Sequence, residues 1–139
     1  MHLYGNPSNL PLIKKLIKKK NINIIEDCAQ AHGTRINGRH VGTFGDAGTF
    51  SFFPGKNLGG FGDGGALITN SKAIFERTLR LRNHGAKKKY DHKFPGRNSR
   101  LDTLHAAVLN IKLKKYNEVV KKRNKLAKLY IKNLQECKD

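Results

Sequence analysis

The residues best suited to chemistry gather in the centre of the chain. Asp27 directly follows the β-branched run Ile22, Ile24 and Ile25. That order predicts a carboxylate at the carboxyl end of a strand, where α/β sheets present functional side chains. Lys56 lies within Phe52-Phe53-Pro54-Gly55-Lys56-Asn57-Leu58-Gly59-Gly60, enclosed by aromatic rings, proline and glycine. Such an enclosure strips water from an ammonium and favours the neutral amine that a Schiff-base nucleophile requires. Ser51 stands on the strand leading into this loop, with a hydroxyl suited to a phosphate oxygen. Each residue has a plainer reading as well. Asp27 serves equally well as a turn or cap residue, and Lys56 as one more loop lysine among 28 basic side chains.

The surrounding elements read as alternating strands, helices and loops, which makes the chain α/β. Asn6-Pro7-Ser8-Asn9 gives turn and cap chemistry before a short helix with Ile13, Leu16 and Ile17 on its apolar stripe. Glycines punctuate residues 33–48, and Asn37-Gly38 predicts a tight turn. Thr49–Phe53 reads as a strand stopped by Pro54-Gly55, and Gly65–Thr69 as another. A helix is expected from Ser71 to His84 with Gly85 as its cap, then a basic loop over 86–100. From Leu104 one long helix is expected to run through Tyr116, Val120 and Leu126 to the chain end.

Composition narrows the classes. There is no apolar run near twenty residues and no secretory signal pattern, so neither a membrane span nor secretion is expected, and a reducing cytoplasmic setting is the default. Cys28 and Cys137 are too few and too far apart for a disulfide framework or a zinc site, and no metal is expected. The net charge of +18 invites a nucleic-acid reading, but +5 falls in residues 1–20 and +7 in residues 105–139. Those segments read as helices, where lysine is a solvated choice, and aromatic platforms are scarce there. A basic nucleic-acid-associated protein stays the alternative from a different class; nucleic acid is not the expected partner.

Lysine, carboxylate and serine together are more specific than each alone. Pyridoxal 5'-phosphate needs a lysine for its aldehyde, a carboxylate to keep its pyridine nitrogen protonated, and hydroxyl and amide donors for its phosphate. Three strings carry a resemblance on that point. Glu26-Asp27-Cys28-Ala29-Gln30-Ala31-His32-Gly33, Gly42-Thr43-Phe44-Gly45-Asp46-Ala47-Gly48 and Phe50-Ser51-Phe52-Phe53-Pro54-Gly55-Lys56-Asn57-Leu58-Gly59 resemble the pyridoxal-phosphate-dependent nucleotide-sugar aminotransferases of the DegT/DnrJ/EryC1/StrS family. The likeness continues through Gly62-Asp63-Gly64-Gly65-Ala66, Arg82-Asn83-His84-Gly85 and Asn98-Ser99-Arg100-Leu101-Asp102, in order and over nearly all the chain.

The resemblance implies a fold and a set of roles. The fold would be part of the large domain of a fold-type I transferase, aspartate aminotransferase-like, with residues 1–104 in that domain and residues 105–139 a long helix leading towards a small domain. Lys56 matches the lysine that binds the cofactor covalently and moves the proton during transamination. Asp27 matches the partner of the pyridine nitrogen, Gln30 a side chain beside the ring, and Ser51 a phosphate ligand. Asn98 matches an asparagine that reaches the phosphate of a neighbouring subunit, which implies a homodimer. His32 and His84 fall in matching strings, where packed or capping roles serve at least as well. The implied reaction moves an amino group, with glutamate as donor, to a nucleotide-linked keto-deoxy-sugar. Lys56 speaks against the dehydratase branch of the family, and the Pro-Gly-Lys-Asn-Leu-Gly wording leans towards amination at carbon 3.

The same resemblance implies an incomplete chain, since family members extend before the region matching Met1 and beyond residue 139. The N-terminal part would hold a helix N-terminus gripping the phosphate and an aromatic residue stacked on the ring. Two expectations follow: a catalytically inactive remnant of a broken gene, which a sheet cut part-way favours, or one chain of a split enzyme.

Overall fold

The computed structural model describes residues 1–135 and 137. A 3-10 turn at Leu3–Gly5 precedes helix α1, Leu10–Ile17. Asn9 caps α1 by accepting from the Leu12 N–H at 3.2 Å, and Leu10 is the residue the helix buries. The strands β1 (Ile25–Asp27), β4 (Ala47–Ser51) and β5 (Gly65–Ile68) form the main sheet in the order β1-β4-β5. β1 and β4 are parallel, with Asp27 opposite Thr49; β4 and β5 are antiparallel, with Ser51 opposite Gly65.

Between β1 and β4 the chain makes a small hairpin, β2 (Arg35–Ile36) with β3 (Arg39–His40). Asn37 and Gly38 both take positive φ, 50° and 80°, the backbone that a two-residue turn between twisted strands demands. Val41, Cys28 and Ala31 form a fully covered core, with Ile36 and Phe50 packed against it. Gly42 and Gly48 meet so closely that a Cβ on Gly48 would fall on the Gly42 backbone. Alanine is excluded there by contact, not by propensity.

The C-terminal half holds α2 (Lys72–Leu81), a hairpin of β6 (Ala86–Lys88) and β7 (Asp91–His92), α3 (Thr103–Lys114) and α4 (Tyr116–Leu134). Ser71 and Asp102 cap α2 and α3 through their side-chain oxygens. No helix among the described residues is long and apolar enough to cross a membrane.

The structure departs from the sequence expectations at four places. The first strand starts only at Ile25 and includes Glu26 and Asp27, because Asn21 and Asn23 leave the isoleucine run irregular. The α2 helix ends at Leu81, and Arg82–Gly85 turn the chain instead. Residues 86–100 are not all loop, since Lys88 pairs with Asp91 in the small hairpin. The expected single helix over 105–139 is two helices. Lys115, at φ −102° and ψ 4°, breaks the ladder between α3 and α4. Residues 136, 138 and 139 of that expectation lie outside the described residues.

Glu26 ties the two halves of the β1–β4 unit together. Its side chain is buried, and its carboxylate accepts from the N–H groups of Gly42, Phe44 and Gly45, each at 2.6 Å. A fourth donor is His2 Nε2 at 3.1 Å. The Ser8 N–H donates to His2 Nδ1 at 3.1 Å, which leaves the ring proton on Nε2 and aimed at Glu26. Burial pushes the Glu26 pKa up, but the bonds from Gly45, Gly42, His2 and Phe44 outweigh it, so the carboxyl sits below its ordinary 4.5.

Glu26→Gln keeps the shape while turning an amide donor towards N–H donors, and should cost about 2–3 kcal/mol in urea unfolding. Because the folded pKa is depressed, the contribution is complete above the ordinary carboxyl value and is lost as pH falls through the folded one. The urea midpoint of the unmodified chain should therefore drop below about pH 4.5, with a shallower drop in Glu26→Gln.

Candidate active site

Side chains alternate across a strand, so the β1–β4 register decides which residues share a face. Asp27, Thr49 and Ser51 lie on one face; Glu26, Gly48 and Phe50 lie on the other. Asp27 ends β1 and Ser51 ends β4, so both stand at the carboxyl end of the parallel pair. Asp27 Oδ1 accepts from the Ala29 N–H at 3.0 Å, which fixes the carboxylate while Oδ2 has no hydrogen bond among the described residues. Ser51 Oγ accepts from the Phe53 N–H at 3.3 Å, which leaves its O–H free to donate.

Gln30 follows in the turn after β1. Its Oε1 accepts from the Tyr4 N–H at 2.9 Å, so the side-chain NH2 is the end left to a ligand. Lys56 sits half-buried in the loop after β4, where its own N–H bonds the Phe53 carbonyl at 2.9 Å. No hydrogen bond or ion pair engages Lys56 Nζ among the described residues. It lines an open cavity of about 480 Å³ between this loop and the α3–α4 junction.

That loop is propped from α3. Lys112 Nζ donates to the Gly59 carbonyl at 2.6 Å, and His105 Nε2 accepts from the Phe61 N–H at 3.0 Å. The His105 ring fills the space beside Gly60, where any Cβ would collide with it. Neither His105 nor Lys112 was legible as a support residue, because both contacts span more than forty residues of sequence.

Asn98 stands apart. It is exposed, its Oδ1 accepts from Arg100 Nε at 3.0 Å, and it lines a cleft with Asp63, Gly64 and Gly65. Among the described residues it shares neither a cavity nor a hydrogen bond with Asp27, Gln30 or Lys56.

The histidines divide cleanly. His32 is buried against the rings of Phe50 and Phe52, centroids 5.4 and 6.2 Å away, so it packs on the face opposite Ser51. Neither ring nitrogen has a hydrogen-bond partner among the described residues. Burial holds its pKa below the ordinary histidine value; the Ser51 backbone pulls the other way, and the charges of His40 and Lys56 push it further down. His84 sits in a turn at φ 57°, with its N–H bonded to the Arg97 carbonyl.

Candidate ligand atoms of His2, Glu26 and Cys28 lie within 4.8 Å of one another. Their chemistry does not suit a metal. The Glu26 oxygens already accept four hydrogen bonds, and burial pushes the Cys28 thiol up to about 12, with the charges of Glu26 and Asp27 adding to it. The cluster is a structural knot.

The mixed α/β arrangement of β1, β4 and β5 with their helices is that of part of the large domain of fold-type I, pyridoxal-phosphate-dependent aminotransferases, on whose solved structures the chain superposes. The chain belongs to the DegT/DnrJ/EryC1/StrS aminotransferase family, whose model matches residues 1–139. It is 45% identical over 134 residues to the dTDP-3-amino-3,4,6-trideoxy-alpha-D-glucose transaminase of Streptomyces venezuelae, covering 96% of this chain and 35% of that protein. It is 54% identical over 110 residues to the UDP-N-acetyl-3-dehydro-alpha-D-glucosamine 3-aminotransferase of Acidithiobacillus ferrooxidans, covering 78% of this chain and 30% of that one. The crystal structure of S. venezuelae DesV in complex with a ketimine intermediate superposes with a TM-score of 0.92 at 45% identity, over 97% of this chain and 36% of DesV. The chain thus spans about a third of the length of the relatives it matches.

His105→Ala leaves the Phe61 N–H without its acceptor and opens space beside Gly60. It should lower stability by about 1–3 kcal/mol, read as a lower urea midpoint with an unchanged slope.

Proposed function

We propose that the site formed by Asp27, Gln30, Ser51 and Lys56 holds pyridoxal 5'-phosphate and serves the transfer of an amino group to a nucleotide-linked keto-sugar. The observation that carries this reading is the shared face of Asp27 and Ser51 at the carboxyl end of β1 and β4, with an unpaired Lys56 amine in the loop that follows. The donor set fits the group: one free carboxylate oxygen for a ring nitrogen, one hydroxyl for a phosphate oxygen, one amine for an aldehyde and one side-chain NH2 for a phenolic oxygen. When bound, the cofactor supplies an electron sink for breaking the C–H bond beside the migrating nitrogen.

The side chains divide the remaining work. Lys56 Nζ would hold the cofactor's aldehyde and, when free of it, would move the proton between the substrate carbon and the cofactor carbon. Asp27 holds a proton on the ring nitrogen from a carboxylate that the Ala29 N–H keeps in place. Ser51 would bind phosphate from the end of β4, and Gln30 would meet the ring through its free side-chain NH2. Asn98, exposed on its own cleft, is assigned to the phosphate of a second subunit in a homodimer, with glutamate as amino donor. Residues 1–104 are read as part of the cofactor-binding domain and 105–139 as the helical segment leading out of it. Both relatives named above carry the amino group at carbon 3 in their names, which supports that carbon for the substrate here.

The test is an absorbance titration with pyridoxal phosphate, then borohydride reduction and peptide mapping. A yellow chromophore and a reduced adduct on Lys56 are expected. Lys56→Ala should abolish both, and Asp27→Asn should weaken cofactor binding about tenfold to a hundredfold. Labelling scattered over many lysines would leave the chain an inactive remnant of the lineage.

A further inference from the structure

Tyr116 is the first residue of α4, directly after the break at Lys115. The break turns it inward, and it is buried on a helix whose other residues are nearly all exposed. Its hydroxyl donates to the His32 carbonyl at 2.7 Å, a buried bond across 84 residues of sequence. Its ring lies beside Gly33, where a Cβ would stand 3.3 Å from Tyr116 Cε1. The same side chain lines the cavity shared by Lys56 and Asn57.

We propose that Tyr116 is a positioning residue that locks the turn carrying Gln30 and His32 against the loop carrying Lys56. The two segments leave the ends of neighbouring parallel strands, and among the described residues no side chain of one hydrogen-bonds the other. Tyr116 reaches the first through the His32 carbonyl and lines one cavity with Lys56 and Asn57 of the second. Burial raises its pKa, against the pull of the Arg123 charge and the Asn57 side chain, so the phenol keeps the proton it donates. A phenylalanine fills the same space without that bond, and loss of this buried hydrogen bond frees the His32 turn from the α4 start that also lines the Lys56 loop's cavity.

This inference rests on the reading of Lys56 as the cofactor lysine, and its test separates the two. Hydrogen exchange is compared in the full chain, in Tyr116→Phe and in Tyr130→Phe, an exposed tyrosine on the same helix. In Tyr116→Phe the amides of Gly33, Thr34 and Lys56 should exchange about threefold to tenfold faster. Those of Gly42, Phe44 and Gly45, held by Glu26, should stay unchanged, as should all of these in Tyr130→Phe. Unchanged rates at Gly33, Thr34 and Lys56 overturn the proposal, and so does a uniform acceleration that includes the Glu26-bound amides. Pyridoxal phosphate then gives the second readout: Tyr116→Phe should bind it about threefold to tenfold more weakly and shift the pH titration of the bound chromophore. A normal adduct on Lys56 with identical affinity and titration in Tyr116→Phe overturns the positioning role alone. No adduct in the unmodified chain overturns the cofactor reading and leaves exchange to decide on Tyr116.

Discussion

A carboxylate enclosed by four donors sets the geometry of this chain. Glu26 cannot lose its water without full replacement, and three of its replacements are backbone N–H groups from one short loop, Gly42 to Gly45. That loop must therefore wrap beneath β1 before the chain enters β4, which places the two strands side by side and parallel. The close passage of Gly42 over Gly48 follows from the same wrap. Adjacent residues on a strand face opposite ways, so fixing Glu26 on the back of the sheet also fixes Asp27 on the front. The structural carboxylate and the one proposed for the cofactor are set by a single pairing.

The front of the proposed site is built on strand ends, but the lysine proposed for it is not. Lys56 sits in a loop whose rigidity comes from outside, through Lys112 to Gly59 and His105 to Phe61. Both supports lie on α3 two turns apart, on one face of the helix. The capped start of α3 at Asp102 is thus linked to the position of the lysine, since it sets the phase of that face. Sites placed on rigid elements are more precise than sites on free loops, and this loop gains its order from the helix behind it.

The strand-end placement of Asp27 and Ser51 was readable in the sequence because its signals are local. An acid after an isoleucine run, a lysine between aromatics and glycines, and a serine on a strand each announce themselves within ten residues, and the structure places Asp27 and Ser51 together as that pattern requires. The Asn37-Gly38 turn was equally local. What could not be read is what acts at a distance. Glu26 stood next to Asp27 in the same string, yet its role depends on a loop sixteen residues away and on His2. The break at Lys115 has no proline or glycine to mark it, and the apolar spacing continues through it, so a single helix was the natural expectation. The β6–β7 hairpin lay hidden in a run of lysines whose pairing needs a positive φ at Tyr90.

The two cysteines differ as widely as two thiols can. Cys28 is sealed in the core with its proton held to about 12, whereas Cys137 lies exposed beyond the end of α4. Cys28 is out of reach of thiol reagents on the folded chain and Cys137 is open to them, so an alkylating dye finds one partner. The chain thereby carries a single native attachment point for a fluorophore or spin label, past the far end of the helix that begins at Tyr116, and reaction of the second thiol reports that the core has opened.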